Sequence, residues 1–233
     1  MSSNLVLVED FFPANITNKL LTIVKKHNND LSKPPGFAPD GRAEINLLDN
    51  WILTDIGNFV KDNSIAKVKD YRLEYASLFI DNKDFFIPLH KDSSHGKLED
   101  GVTNVCDPWK VQIQIYLNNK RNPGIMFFDD ATIEHYPSVV SVGSHEPENS
   151  TVVWYMSESE IDEDNFCPDT DFHIDNLLTV NKRLAEHNVP PIKEVKYGYN
   201  NGYISYTANR IAHTVPKIVD SVGDRVSITL KYN

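Results

Sequence analysis

Residues 110–117 read KVQIQIYL, and the reading of this octapeptide decides the fold. Val111, Ile113, Ile115 and Leu117 alternate with Gln112, Gln114 and Tyr116, a period of two that an extended strand converts into two distinct faces. Outward toward the C-terminus, Ile125–Phe128, Val139–Val142, Thr151–Met156, Tyr203–Thr207 and Val226–Tyr232 read as further strands. Toward the N-terminus, Phe85–Leu89 and Arg72–Ile80 read as strands joined by a turn at Asp81-Asn82-Lys83-Asp84. Before them come a short strand, Leu5–Val8, and two helices. The first covers Ala14–His27, with Ile16, Leu20, Leu21 and Val24 on one face. The second covers Ile45–Lys61, with Leu48, Ile52, Ile56, Phe59 and Val60 at helical spacing. A Pro/Gly-punctuated loop, Lys33–Asp40, separates them, and a third helix is predicted at Asp175–His187, ended by Pro190-Pro191. Two helices followed by some eight short strands predict a mainly β fold with supporting helices, an antiparallel barrel or jelly roll.

The chain has 233 residues, 40% of them hydrophobic and 24% charged, which suits one globular domain with a sizeable core. A formal charge of −10 argues against nucleic acid as the partner, since such proteins carry a basic stripe. The patch around Lys110, Lys120 and Arg121 reads as a solvated loop, and the acidic run Glu158–Asp171 as a mobile surface segment. No signal peptide and no membrane-spanning stretch is legible, and Cys106 and Cys167 are too few for a disulfide framework. A cytoplasmic location is expected.

His90-Lys91-Asp92 follows the Phe85–Leu89 strand. Residues two apart on an extended chain share a face, so an imidazole and a carboxylate at this spacing can aim at one point. A histidine from a distant strand would complete a facial triad of two histidines and one carboxylate, which leaves coordination positions open on Fe(II). A second copy, His173-Ile174-Asp175, opens the predicted helix with no strand leading into it, and its carboxylates read as helix caps. A candidate for the distant histidine is His213, at the end of one strand, and Arg225 starts the next. A guanidinium in a strand rich in β-branched residues requires an anion, either a planar carboxylate ligand or a structural Asp or Glu. Ser227, two residues on, adds a hydroxyl to the same face.

The set His90-x-Asp92, His213 and Arg225-x-Ser227 resembles the signature of the Fe(II)/2-oxoglutarate-dependent dioxygenase superfamily, and within it the prolyl 4-hydroxylase-like branch. Tyr116-Leu117-Asn118 resembles the Tyr-Leu-Asn strand of that branch, and Pro123-Gly124-Ile-Met-Phe127 its Gly-x-x-Phe element. The resemblance covers residues 71–128 and 197–232. It implies a double-stranded β-helix, Fe(II) on His90, Asp92 and His213, and 2-oxoglutarate as cosubstrate with its distal carboxylate on Arg225, Ser227 and Tyr116. It further implies O2 as second substrate, allows ascorbate, and couples decarboxylation of 2-oxoglutarate to succinate with hydroxylation of a prolyl or other peptidyl side chain. The alternatives are hydroxylation of a free small molecule and a non-catalytic, cupin-like metal-binding module. One oxygenase domain is then expected over 1–233: helical support at 1–70, the jelly-roll core at 71–128 and 197–233, and an insertion at 129–196 that could close over the site as a lid. The polar segment Asp92–Asp107, with His95, is a candidate substrate loop, whereas His135, His145 and His187 receive no role.

Overall fold

The computed structural model describes residues 5–29, 42–82, 87–92, 98–99, 102–103, 109–118, 124–128, 138–142, 151–155, 193–206, 211–215 and 224–233. The octapeptide becomes β7 (Val111–Tyr116), near the middle of a six-stranded antiparallel sheet. Across that sheet run β1 (Leu5–Val8), β12 (Gly202–Tyr206), β7, β14 (Arg225–Tyr232), β3 (Leu73–Asp81) and β2 (Arg42–Asn46). The second antiparallel sheet runs β11 (Lys193–Glu194), β8 (Met126–Phe128), β13 (Ala212–Val215), β4 (Ile87–Asp92), β10 (Thr151–Tyr155) and β9 (Ser138–Val142). A two-stranded ribbon pairs β5 (Leu98–Glu99) with β6 (Val102–Thr103).

The aliphatic face of β7 packs against the two helices. Val111, Ile113, Ile115 and Leu117 share a core with Ile16, Leu20 and Val24 of α1 (Ala14–Asn29) and with Ile52, Ile56 and Val60 of α2 (Ile52–Asp62). Each such aliphatic side chain removed from water stabilises the fold by about 1.5–3 kcal/mol. The opposite face of the same sheet is largely polar. Tyr116 and Tyr203 there join Ile125, Phe127 and Val215 in a smaller apolar cluster that bridges to the second sheet. Two faces of opposite character thus divide the molecule into a supporting layer and a barrel interior.

The second helix starts later than its spacing predicts. Residues 42–46 form β2 instead, with Ala43 and Ile45 turned to the helical core, so a short period-two run overlaps the helical pattern. Leu47 N–H donates to Ala76 O at 2.8 Å, and Asn46 Oδ1 accepts from Leu48 N–H at 2.8 Å, which turns the chain out of the sheet. Leu47 is therefore buried, and Leu48, expected on the core face, is 38% exposed. Asp81 also departs from expectation: it is not in a turn but ends β3, 1% exposed. His90 and Asp92 lie within β4 rather than after it. Three strands of the 129–196 interval, β9, β10 and β11, belong to the second sheet. Residues 156–192, which include the predicted helix and His173-Ile174-Asp175, lie outside the described residues, as does the Lys33–Asp40 loop. Among the described residues no helix is long and apolar enough to cross a membrane.

Candidate functional site

β4 pairs with β13 so that His90 and His213 are register partners, and β10 flanks β4 with Trp154 opposite His90 and Val152 opposite Asp92. Directly paired residues lie on one face, about 4.5–5.5 Å apart at Cβ, and so do residues two apart on a strand. Positions 90, 92 and 213 therefore occupy neighbouring places on one face of the second sheet. His213 is 6% exposed, its ring 5.7 Å from that of Phe127. Its Nδ1 lies 3.1 Å from the Ile211 carbonyl. A proton on Nδ1 donated to that carbonyl leaves Nε2 as the lone-pair nitrogen, the form that ligates a divalent metal. These three residues could hold a metal. The side chains of His90 and Asp92, like His95, lie outside the described residues, within which no group of three metal-ligating side chains occurs.

On the facing sheet, Arg225, Asp81 and Arg42 form a row across three strands, Asp81 being register partner to both arginines. Arg42 forks onto Asp81, Nε to Oδ1 at 2.7 Å and Nη2 to Oδ2 at 3.1 Å. Arg225 Nε reaches Asp81 Oδ2 at 3.3 Å, both side chains being almost fully buried. A structural carboxylate thus meets Arg225, the second of the two alternatives its burial left open. Ser227 pairs with Tyr116 across β14 and β7, and the Ser227 hydroxyl is buried with no hydrogen bond among the described residues. The Tyr116 hydroxyl accepts from Ile125 N–H at 3.0 Å, so its own proton remains to be donated. Burial pushes the Tyr116 phenol up from its ordinary value, opposed by the nearby Arg225 charge and the Ile125 hydrogen bond, and keeps it neutral.

Two further residues hold this corner in place. Asn118 Nδ2 donates to Asp224 O at 2.8 Å and its Oδ1 accepts from Val226 N–H at 3.1 Å, bracketing Arg225 from both sides. Tyr197 donates to Asn118 Oδ1, accepts from Val226 N–H at 3.0 Å, and stacks its ring 4.4 Å from Tyr116. Asn118 was legible as part of the Tyr-Leu-Asn motif. Tyr197, Asp81 and Arg42 were not, and only the position of Asp81 on a strand face could have signalled it. Gly124 of the other motif has a physical cause: a Cβ there would fall 1.5 Å from the Val195 carbonyl oxygen.

Between the sheets lies a cavity of about 300 Å³, with His213 in its wall. Its lining is mostly hydrogen-bonding: Arg42, Glu44, Gln112, Gln114, Tyr203 and Lys231 contribute. Gln112 Nε2 donates to the Tyr203 hydroxyl at 2.8 Å, which donates on to Gln114 Oε1 at 3.0 Å. Glu44 accepts from Tyr75 at 2.7 Å and from Ser77 at 2.6 Å. Arg225, Ser227 and Tyr116 share this sheet face but are fully buried and are not among the residues lining the cavity.

No protein-family model matches the sequence, and no curated protein matches it. Solved structures do match the fold. HygX from Streptomyces hygroscopicus, with nickel and 2-oxoglutarate bound, superposes with a TM-score of 0.54 at 12% identity, covering 99% of this chain and 82% of that one. The same protein with iron bound gives 0.53 at 12% identity over the same shares. A prolyl-4-hydroxylase of Pseudomonas putida matches at 0.45 and 10% identity, over 100% of this chain and 93% of that one. The chain has the jelly-roll fold of the Fe(II)/2-oxoglutarate-dependent oxygenases.

Proposed function

We propose that the protein is an Fe(II)- and 2-oxoglutarate-dependent dioxygenase, with His90, Asp92 and His213 as the metal ligands. The observation that carries this reading is the β4–β13 register, which sets His213 opposite His90 with Asp92 two residues along. Two imidazoles and one carboxylate on one sheet face match the donor set that Fe(II) oxygenases use.

The facing corner fits the cosubstrate. Arg225 offers a buried guanidinium, Ser227 a buried hydroxyl that makes no hydrogen bond among the described residues, and Tyr116 a phenol with a proton to give. A carboxylate end is what such a set binds best. With 2-oxoglutarate held there and iron on His90, Asp92 and His213, the two would supply the oxidising chemistry, decarboxylation of 2-oxoglutarate to succinate and CO2 coupled to hydroxylation with O2. The chain's own residues orient the cosubstrate, keep Tyr116 protonated and exclude water behind a fully buried wall. Ascorbate would serve only as an auxiliary reductant.

For the hydroxylated substrate, the cavity favours a small polar molecule over a prolyl side chain. Amides, a carboxylate, phenols and a lysine outnumber apolar groups around it, and a polar ligand can exchange hydrogen bonds with them where an imino-acid ring cannot. HygX has also been solved with nickel, 2-oxoglutarate and hygromycin B bound, at a TM-score of 0.51 to this chain. Anaerobic titration tests the assignment: Fe(II) should bind first and render 2-oxoglutarate binding tight. A protein that binds 2-oxoglutarate equally well without metal would not be this enzyme.

A further inference from the structure

We infer that the hydroxylated substrate is a small zwitterion, a free α-amino acid, whose carboxylate meets Lys231 and whose ammonium meets Glu44. This names the substrate class for the oxygenase reading above and rests on it. Both side chains line the cavity that has His213 in its wall. On the polar sheet face, Lys231 of β14 is register partner to Gln112 of β7 and to Tyr75 of β3. Lys231 Nζ lies 5.3 Å from the centre of the Tyr75 ring and 5.7 Å from that of Trp109. Glu44 of β2 accepts from the Tyr75 hydroxyl at 2.7 Å and from Ser77 at 2.6 Å, both through Oε1. One tyrosine side chain thus engages both charges.

Lys231 and Glu44 do not pair with each other, and neither forms an ion pair among the described residues. Each is held by neutral groups instead, Lys231 over aromatic faces and Glu44 by two hydroxyls. Opposite charges kept apart in this way complement a ligand that carries both signs, because no internal pair has to break first. A ligand of one sign would find one attractive and one repulsive group on the same wall. Gln112 adds a further contact: its Oε1 is buried with no hydrogen bond among the described residues, an acceptor for a polar group on the ligand. Glu44 is exposed and Lys231 half-buried, so both charges are open to a ligand arriving from solvent. A cavity of about 300 Å³ lies at the small end of ligand pockets, which suits a single amino acid rather than a peptide.

The test begins with anaerobic, Fe(II)-dependent binding of 2-oxoglutarate, whose absence would overturn the oxygenase reading and this one with it. Succinate release in air is then measured with each of the common α-amino acids, and at least one should stimulate it. That amino acid is titrated anaerobically onto the Fe(II) and 2-oxoglutarate complex, beside its N-acetyl derivative, which lacks the ammonium, and its amide, which lacks the carboxylate. Each derivative should bind about tenfold or more weakly, the worth of a charge-assisted contact. Lys231→Met should weaken the free amino acid by a similar factor but its amide by no more than about twofold, and Glu44→Gln should behave likewise toward the N-acetyl derivative. If a variant does not fold, the two derivatives carry the test on the native protein. Derivatives that bind as well as the free amino acid, or Fe(II)-dependent 2-oxoglutarate binding with no amino acid stimulating succinate release, would overturn the zwitterion assignment and leave the oxygenase reading standing.

Discussion

Asn200 sits with φ at +62°, in the left-handed region that asparagine tolerates better than other non-glycine residues. Its side chain closes a two-point contact with Phe12, Oδ1 accepting from Phe12 N–H at 2.9 Å and Nδ2 donating to Phe12 O at 2.7 Å. Its backbone N–H donates to Tyr116 O at 2.7 Å, so the same residue ties the segment before α1 to the strand bearing Tyr116. Asn200→Ala should cost about 2–5 kcal/mol, from two buried groups on Phe12 left unsatisfied and the left-handed strain of alanine. Urea denaturation would measure it, and a loss below about 0.5 kcal/mol would show that the contact is idle. Nothing local in the sequence announces this role, because the partner is 188 residues away. Asp81 was misread for the same reason, its two arginines lying 39 and 144 residues distant. Residues whose meaning is local, such as Arg225 opening an apolar strand, were readable.

Among the elements, β12 approaches β7 too closely for any side chain at position 202. A Cβ on Gly202 would fall 1.9 Å from the Gln114 carbonyl oxygen. Gly202→Ala must therefore push β12 off β7, destabilising the fold by about 1–3 kcal/mol and displacing Tyr203 from its bonds to Gln112 and Gln114. A Tyr203→Phe variant separates the two effects: it should keep stability within about 1.5 kcal/mol while altering affinity for whatever polar ligand fills the cavity. Periodic elements were the legible ones. KVQIQIYL and Val226–Tyr232 alternate cleanly, Leu5–Val8 is a short continuous apolar run, and α1 starts at Ala14 as its spacing predicts. β2 was hidden because Ile45 also fits the helical spacing that continues through Leu48 and Ile52, and a five-residue strand shows only two core-facing residues. β11, with two residues, is shorter than any periodicity can reveal.

For the whole molecule, the sequence pattern separated the aliphatic from the polar face of the central strand, whereas the charged row across the polar face depends on pairing that no single segment encodes. The helix-side core should respond as one cooperative unit: Ile113→Ala, at a fully buried site between sheet and helices, should cost about 2–5 kcal/mol with the denaturant slope unchanged. Alkaline stability follows from the tyrosines. Burial raises the phenols of Tyr75, Tyr116, Tyr197 and Tyr232 above the ordinary value of 10.0, so the folded chain holds protons that the unfolded chain releases. Their contribution is intact below about pH 10 and falls as pH rises beyond it, so tyrosinate absorbance should appear together with loss of structure. Absorbance that develops fully while the fold persists would contradict that linkage.

Release of succinate from 2-oxoglutarate in air, in native protein loaded with Fe(II) and in His213→Ala, tests the central claim most directly. The native protein should release succinate in an iron-dependent way, and His213→Ala should bind iron weakly and release little. Normal iron binding and normal succinate release by His213→Ala would contradict the metal site proposed here.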